Sequence, residues 1–226
     1  MDKKLVSVII PTLKEQDYIE LLLISIRHQT YKPIEIVISD SSAIGDQIAT
    51  ELIAMKYGAR MVTARQLNVA AGRNKGAEAA RGEILIFCDA DCVMAPDFVE
   101  RMMVLLENGA RLAHGVDYFH NDNIRNTIHS AWMMVKPRLH TTGRGIAISK
   151  SDFWEIGGYD VKQDPMKGYR EDLDLGQRVE LHFGKGSVQM DRFAIVAEAA
   201  RRPWWRCIGG AVWKERGWRK GTSING

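Results

Sequence analysis

The stretch EILIFCDAD at residues 83–91 decides the fold of this 226-residue chain. Its first six residues are β-prone and apolar after the leading glutamate, which predicts a short buried strand. Asp89 and Asp91 follow that strand, and positions i and i+2 of a strand face the same way. Two converging carboxylates offer hard oxygen ligands to Mg²⁺ or Mn²⁺. A solvated pair of aspartates in a turn before Pro96 is the alternative that these residues leave open.

Three further apolar runs precede this stretch and alternate with helix-like segments. The runs lie at 5–10, 34–39 and 59–63, and the helical segments lie at 15–28, 45–57, 69–81 and 96–107. This alternation predicts an α/β fold with a mostly parallel central sheet flanked by helices. Thr12, Asp40 and Asp89 each follow a run, and ligands of such sheets bind at the carboxyl ends of the strands. We therefore expect these side chains to line one cleft.

The second half of the chain is less regular. We expect strands at 111–119 and 144–149, helices at 126–135, 151–156 and 171–183, and a polar loop at 160–169. A chain of 226 residues fits one large domain with a sizeable core. The second half therefore belongs to the same domain as the first.

Composition narrows the class of protein. Apolar residues make up 46% of the chain and charged residues 26%, as in ordinary globular proteins. No apolar stretch reaches the roughly 18–20 residues that span a bilayer, and the N-terminus lacks the features of a signal peptide. We therefore expect a cytoplasmic protein. Cys88, Cys92 and Cys207 show no zinc-ligand spacing and are predicted to be free thiols.

Positive charge is concentrated at the end of the sequence. Residues 201–226 carry a net charge of +6, whereas the other 200 residues carry −3. Four of the six tryptophans lie in the same segment: Trp204, Trp205, Trp213 and Trp218. Tryptophan mixed with lysine and arginine is typical of a helix on an anionic membrane surface. A tail packed on the domain and an arginine-rich binder of nucleic acid or diphosphate are the alternatives. No nucleic-acid partner is expected, because the rest of the chain is acidic.

Four further segments accompany the DAD triplet in a characteristic order. They are VIIPTLKE at 8–15, NVAAGRNKG at 68–76, GGYD at 157–160 and REDLDL at 170–175. Together they resemble the family 2 glycosyltransferases with the GT-A fold, over most of the chain. The resemblance implies transfer of a sugar from a nucleotide-sugar donor, with a UDP-sugar expected, to an acceptor hydroxyl. It also implies inversion of configuration and Mn²⁺ or Mg²⁺ as the cofactor.

The same resemblance assigns roles to individual residues. Substrate binding falls to Pro11, Thr12, Glu15, Asp40, Asn68, Arg73, Asp89 and Glu171. Asp91 becomes a metal ligand and Asp172 becomes the catalytic base that deprotonates the acceptor. Many family members carry a metal-binding histidine further along, and in this sequence its position falls on Glu198. Glu198 is therefore a candidate second metal ligand, and a metal with fewer protein ligands is the alternative.

These assignments have structural alternatives. Thr12 and Glu15 fit an N-cap with its first-turn acid, and Arg73 fits the solvated face of an amphipathic helix. The acids at 171, 172 and 174 fit a helix start, where the dipole favours negative charge. Their crowding is also expected to raise carboxyl pKa values, which suits a general base. His182 is predicted to lie on the surface.

The resemblance divides the chain into three parts. Residues 1–110 form the nucleotide-sugar-binding half, residues 111–200 the acceptor-binding and catalytic-base half, and residues 201–226 a basic, tryptophan-rich tail. The tail and the Trp-Met-Met segment at 132–134 indicate a lipid-linked acceptor and peripheral contact with the inner membrane face, beside the alternative of a sugar acceptor. An apolar helix face that belongs to the core is the alternative for residues 132–134.

Other functions compete with this one. A non-catalytic, membrane-associated module that binds nucleotide sugars fits the same motifs. A sugar-phosphate nucleotidyltransferase fits less well, because residues 11–17 lack the glycine-rich loop expected after the first strand. NAD binding is not expected, because no G-x-G-x-x-G segment follows that strand.

Overall fold

The computed structural model describes residues 3–118, 144–162 and 171–198. Its strands are β1 (Val6–Thr12), β2 (Ile34–Asp40), β3 (Arg60–Thr63), β4 (Ile84–Phe87), β5 (Cys92–Met94), β6 (Leu112–Tyr118), β7 (Ile146–Ser149) and β8 (Val188–Glu198). Its helices are α1 (Ile19–Arg27), α2 (Ile44–Lys56), α3 (Val69–Ala79), α4 (Phe98–Glu107), α5 (Lys150–Glu155) and α6 (Glu171–Phe183).

All eight strands form one sheet in the order β3-β2-β1-β4-β7-β6-β8-β5. β1 pairs in parallel with β2 and β4, and β2 pairs in parallel with β3. β7 runs antiparallel to β4 and β6, while β8 pairs parallel to β6 and antiparallel to β5. The predicted α/β fold with a mostly parallel sheet is confirmed, and the antiparallel pairs lie on the side of the sheet beyond β4.

Both faces of the sheet are covered by helices. Val8 and Ile10 of β1 belong to an apolar cluster with residues of α1, α2 and α4. Ile9, whose side chain points to the opposite face, belongs to a second cluster with residues of α3, α5 and α6. A strand that is buried on both faces reads as a continuous apolar run. The carboxyl ends of β1, β2 and β4 lie at one edge of the sheet, where their loops begin.

Glycines let α3 lie close to the sheet. A Cβ atom on Gly76 would stand 2.4 Å from Ile9 Cγ2, whereas one on Gly72 would stand 3.4 Å from Pro11 Cβ and 4.0 Å from Ser39 Oγ. The position at which close approach demands glycine is therefore Gly76. The contacts of Gly72 place the start of α3 at the carboxyl ends of β1 and β2.

The predicted elements agree with the observed ones within a few residues, with two exceptions. Neither β5 nor β8 was predicted. The helix predicted at 126–135, residues 163–169 of the predicted loop and the tail at 201–226 lie outside the described residues. Within the parts that the structure describes, no helix combines the length and the apolar composition that crossing a membrane requires.

Candidate active site

Three adjacent strands end in polar side chains at one edge of the sheet. Thr12 at the end of β1 lies opposite Asp40 at the end of β2, and the DAD turn follows β4, which pairs with the other side of β1. Thr12 is 1% exposed and Asp40 is 0% exposed. The N–H of Ser42 donates to Asp40 Oδ1 at 2.6 Å. The expected convergence of these residues at one edge of the sheet is confirmed.

Several buried oxygens at this edge have no hydrogen-bond partner among the described residues. They are Thr12 Oγ1, Ser39 Oγ and Asp40 Oδ2. Native proteins leave few buried polar atoms unpaired, because each costs about 1–3 kcal/mol. These atoms therefore indicate a place where a polar ligand completes the hydrogen bonding. The N-cap interpretation of Thr12 is wrong, because Thr12 lies within β1 and α1 begins only at Ile19.

The DAD segment forms a turn between β4 and β5. β4 ends at Phe87, and the N–H of Cys92 donates to the carbonyl of Asp89 at 3.2 Å. The alternation of side chains along a strand therefore does not apply to Asp89 and Asp91, because they lie in a turn. The prediction that strand geometry makes them face the same way is wrong. The solvated alternative is also wrong for Asp91, which is 2% exposed.

Arg73 connects the DAD turn to the start of α6. Its Nη2 donates to Asp89 Oδ1 at 2.9 Å, and its Nη1 donates to Glu171 Oε1 at 2.7 Å. The guanidinium carbon lies 5.2 Å from the centroid of the Tyr159 ring. Because Arg73 is only 2% exposed, the interpretation as a solvated helix face is wrong for this residue. Direct contact between Arg73 and a donor stays a prediction. In this structure its Nη1 and Nη2 atoms donate to the carboxylates of Glu171 and Asp89.

Asn74 holds the GGYD turn against α3 and was not singled out from the sequence. Its Oδ1 accepts from the N–H of Tyr159 at 2.9 Å, and its Nδ2 donates to the carbonyl of Tyr159 at 2.8 Å. Gly158 has φ +70°, and a Cβ atom there would stand 3.0 Å from Asn74 Oδ1. This paired contact fixes Tyr159 beneath the Arg73 guanidinium. The sequence shows an amide side chain next to Arg73, but it does not indicate the partner of that amide, because Tyr159 lies 85 residues away.

Two buried carboxylates open α6. Glu171 is 8% exposed and Asp172 is 7% exposed. Burial raises the pKa of Glu171 above its ordinary value, Arg73 opposes that rise, and the charge of Asp172 adds to it. The N–H of Leu173 donates to Asp172 Oδ1 at 2.9 Å. Asp174 instead accepts from Arg178 Nε at 2.7 Å along the helix. The predicted helix start is confirmed, and two of its acids are buried at the candidate active site.

A second arginine contacts Asp89 through its other oxygen. Arg144 Nε lies 3.6 Å from Asp89 Oδ2, and Arg144 Nη1 lies 3.8 Å from Glu198 Oε2. Glu198 is the last residue of β8 and lies opposite Cys92, the residue that follows Asp91. The structure therefore brings Glu198 beside the DAD turn.

The acidic side chains around this turn fit a hard divalent cation by their chemistry. Asp89, Asp91 and Glu198 offer carboxylate oxygens, which Mg²⁺ and Mn²⁺ prefer. Among the described residues, no group of three or more His, Cys, Asp or Glu side chains could hold a metal ion. Mg²⁺ usually takes one or two protein carboxylates and completes its shell with water and substrate phosphates. Asp91 and Glu198 suit that type of site.

Two cavities adjoin the site on the side of α3. The larger, about 670 Å³, is lined by the end of β3, by α3 and by Val161. The smaller, about 430 Å³, is lined by the GGYD turn and α6. Asn74 and Val161 line both. Neither cavity contains the carboxylates of the DAD turn.

The structure also shows the positions of Asn68, His182 and two of the cysteines. Asn68 caps α3, because its Oδ1 accepts from the N–H groups of residues 70 and 71 at 2.8 and 3.3 Å, and its Nδ2 donates to the carbonyl of Val161. His182 is exposed and contacts Glu155 at 2.7 Å, which confirms a surface position. Cys88 and Cys92 are buried free thiols as predicted, whereas Cys207 lies outside the described residues.

Comparison with known proteins identifies the family of this chain. The model of glycosyl transferase family 2 matches residues 7–174. The chain belongs to this family. EpsH of Bacillus subtilis, a protein named as a glycosyltransferase, is 37% identical over 105 residues, which cover 46% of this chain and 30% of EpsH.

Solved structures share the fold of this family 2 chain. The mannosyltransferase PcManGT from Pyrobaculum calidifontis, in complex with GDP-Man and Mn²⁺, aligns with a TM-score of 0.69 at 19% identity, over 96% of this chain and 61% of that protein. S. aureus TarS in complex with UDP-GlcNAc aligns with a TM-score of 0.67 at 12% identity, over 88% and 59%. These similarities confirm the GT-A fold. The chain spans less than two thirds of the length of each of these three relatives.

Proposed function

We propose that this chain is a metal-dependent glycosyltransferase that moves a sugar from a nucleoside diphosphate donor, with a UDP-sugar preferred, to an acceptor hydroxyl. One observation carries the proposal. The unpartnered oxygens of Thr12, Ser39 and Asp40 are buried at the ends of β1 and β2, and the DAD turn follows the next strand. The N–H groups of a base and the hydroxyls of a ribose are suitable partners for these oxygens.

Donor binding is proposed to run along the edge of the sheet from β2 to β4. Pro11, Thr12, Glu15 and Asp40 hold the nucleoside, and Asp89 receives the ribose while Arg73 fixes its carboxylate at 2.9 Å. Asn68 acts by capping α3 at this edge. Asp91 and Glu198 would hold a Mn²⁺ or Mg²⁺ ion, which would neutralise the charge of the departing diphosphate.

Transfer itself is proposed to depend on Asp172. Its carboxylate accepts the proton of the acceptor hydroxyl while that oxygen forms a bond to the anomeric carbon of the donor. The bond between the anomeric carbon and the diphosphate oxygen breaks, and its electron pair leaves with the diphosphate. Attack opposite the leaving group inverts the anomeric configuration. Arg73 contributes by holding Glu171, which fixes the first turn of α6 that carries Asp172.

The acceptor is proposed to be a sugar or a lipid-linked molecule at the inner membrane face. The support is the composition of residues 201–226, which combine a net charge of +6 with four tryptophans. We expect the full chain to sediment with vesicles that contain anionic phospholipid and not with zwitterionic vesicles. Equal recovery with both, or with neither, contradicts a membrane role for the tail.

Release of nucleoside diphosphate tests the proposed activity. The full chain is incubated with a panel of UDP-sugars and GDP-sugars in the presence of Mn²⁺, Mg²⁺ or EDTA. We expect one donor to be consumed, slowly by hydrolysis and faster with an acceptor, and only with a divalent cation. Binding of a donor without any release supports a non-catalytic module. Formation of pyrophosphate from a nucleoside triphosphate and a sugar phosphate supports a nucleotidyltransferase.

A further inference from the structure

The backbone at Arg144 is fixed by its surroundings. Gly145, the next residue, has φ +125°, a conformation that favours glycine. A Cβ atom on Gly145 would stand 2.7 Å from Phe98 Cζ and 2.9 Å from Val196 Cγ2. The carbonyl of Gly145 accepts from the N–H of Gly115 on β6 at 3.3 Å. The fold therefore directs the chain at residue 144 to one place beside the DAD turn.

The two arginines that contact Asp89 are held very differently. Arg73 makes contacts of 2.9 and 2.7 Å to Asp89 and Glu171 and is 2% exposed. Arg144 forms longer ion pairs of 3.6 and 3.8 Å with Asp89 and Glu198, and its side chain is 23% exposed. Arg73 is therefore a buried structural partner of Asp89. Arg144 balances the charge of the same carboxylate from a less buried position.

Arg144 and a divalent cation would compete for the same carboxylates. Both Asp89 and Glu198 lie within 4 Å of its guanidinium, and Glu198 lies opposite Cys92, the residue after Asp91, in the β5–β8 pair. Like charges a few ångströms apart repel strongly at a partly buried site. A guanidinium also matches the oxygens of a phosphate with its planar set of donors, which a compact ammonium does not.

We propose that Arg144 is a resident counter-cation of the donor site, which neutralises Asp89 and Glu198 in the free protein and contacts the diphosphate when donor and metal arrive together. The inference rests on the proposed function and deepens it. In this arrangement Arg144 weakens metal binding to the empty site and strengthens metal binding with a nucleoside diphosphate. The metal ion and the nucleoside diphosphate then bind together.

Mn²⁺ binding measured without nucleotide tests the first half of this proposal. Free Mn²⁺ is followed by electron paramagnetic resonance during titration of the wild type and of Arg144→Gln. We expect the variant to bind Mn²⁺ about tenfold more tightly, because a neighbouring charge typically changes the affinity of a carboxylate for a cation by about tenfold or more. Arg111→Gln is the matched control, because Arg111 pairs with Asp152 at 3.4 Å on the surface, away from the DAD turn. This control should bind Mn²⁺ like the wild type.

Binding of UDP and GDP in the presence of Mn²⁺ tests the second half. We expect Arg144→Gln to bind the better of the two about tenfold more weakly, although its metal affinity alone has risen. Arg144→Lys should keep the low metal affinity and recover only part of the affinity for the diphosphate. This variant also keeps the test decisive if Arg144→Gln fails to fold. Thermal melts of all variants report on folding.

The opposite directions of the two effects separate this role from a structural one. A purely structural Arg144 predicts that both affinities fall together, and that outcome overturns the proposal. Unchanged Mn²⁺ affinity, or unchanged diphosphate affinity, overturns it as well. If the wild type binds neither UDP nor GDP with Mn²⁺, the proposed function fails together with this inference. If the wild type binds a diphosphate normally and only the variants deviate from expectation, the inference alone fails.

Discussion

Arg73 and Glu171 lie 98 residues apart in the sequence and form a 2.7 Å ion pair next to the candidate catalytic base. The side chain of Arg73 is 2% exposed and that of Glu171 is 10% exposed. Because Arg73 also bonds Asp89, one guanidinium connects the turn on the donor side to the helix that carries Asp172. Arg73 therefore helps to set the relative position of these two parts of the site.

Replacement of Arg73 by methionine is expected to destabilise the fold strongly. The substitution keeps much of the side-chain volume but leaves Asp89 and Glu171 without their buried partner. Removing one member of a buried ion pair typically costs about 3–5 kcal/mol. Urea denaturation followed by circular dichroism measures the free energy of unfolding.

Arg101→Met is the matched control for this substitution. Arg101 also contacts two carboxylates, Asp97 at 2.6 Å and Asp191 at 3.3 Å, but it is 36% exposed. Exposed ion pairs are worth about 0–1 kcal/mol, so the control should lose little stability. Equal losses in the two variants would contradict the structural role assigned to Arg73.

Asp172→Asn is expected to abolish transfer while leaving donor binding intact. The amide has nearly the same shape as the carboxylate but cannot accept a proton, and general-base catalysis contributes about 10²–10⁴-fold in rate. Turnover and donor affinity are measured on the same preparation. Asp174→Asn is the control, because Asp174 pairs with Arg178 along α6 and should change turnover only slightly. Full turnover by Asp172→Asn would contradict the assignment of Asp172 as the catalytic base.

Glu35→Gln should lower stability in a pH-dependent manner. Burial opposes ionisation of Glu35, but hydrogen bonds from Ser7 Oγ and from the N–H groups of Arg81 and Gly82 outweigh it and lower its pKa. A carboxylate with a lowered folded-state pKa stabilises the fold above its unfolded pKa of about 4.3. That contribution is lost as the pH falls through the folded-state value. The charge-assisted part of these bonds is worth about 1–3 kcal/mol at pH 7.

The measurement for Glu35 is a pair of unfolding curves at neutral and acidic pH. The variant should be less stable than the wild type at pH 7, and the gap should narrow as the pH falls below about 4.3. Glu78→Gln is the control, because Glu78 is exposed and pairs only with Lys75 among the contacts seen. If the difference in unfolding free energy between Glu35→Gln and the wild type stays constant with pH, the electrostatic explanation is refuted.

Gly76→Ala and Gly45→Ala are expected to act in opposite directions. A Cβ atom at Gly76 would overlap Ile9 Cγ2 at 2.4 Å inside the core, so Gly76→Ala should cost about 1–2 kcal/mol. At Gly45 in α2 no atom lies within 4 Å of the added carbon, and alanine should stabilise the helix by up to about 1 kcal/mol. Thermal melts compare the two. A Gly76→Ala variant as stable as the wild type would contradict the close packing of α3 on β1.

The parallel half of the sheet could be predicted because its strands are buried on both faces. β1, β2 and β4 therefore appear as apolar runs, and the helices between them have clear lengths. β8 has no such signature, since Arg192 and Phe193 in its middle are exposed and interrupt the pattern. β5 has only three residues and follows the DAD turn directly. Strands of this kind are defined by their partners rather than by their own sequence.

The main acidic residues of the candidate site could be predicted from the sequence, but the contacts that hold them in place could not. Asp89, Asp91 and Asp172 stand in motifs that family resemblance locates. The contacts of Arg73 with Glu171 and of Asn74 with Tyr159 join segments 98 and 85 residues apart. Local patterns carry no information about such pairs, because they form only when α3 packs on the sheet.

Calorimetric titration of nucleotide sugars tests the central claim most directly. The wild type and Asp91→Ala are titrated with UDP-sugars and GDP-sugars in Mn²⁺ and again in EDTA. We expect the wild type to bind one donor only with the metal, and Asp91→Ala to lose this binding while it still unfolds cooperatively. Equal donor binding with and without the metal, in both proteins, would contradict a metal-dependent donor site at the DAD turn.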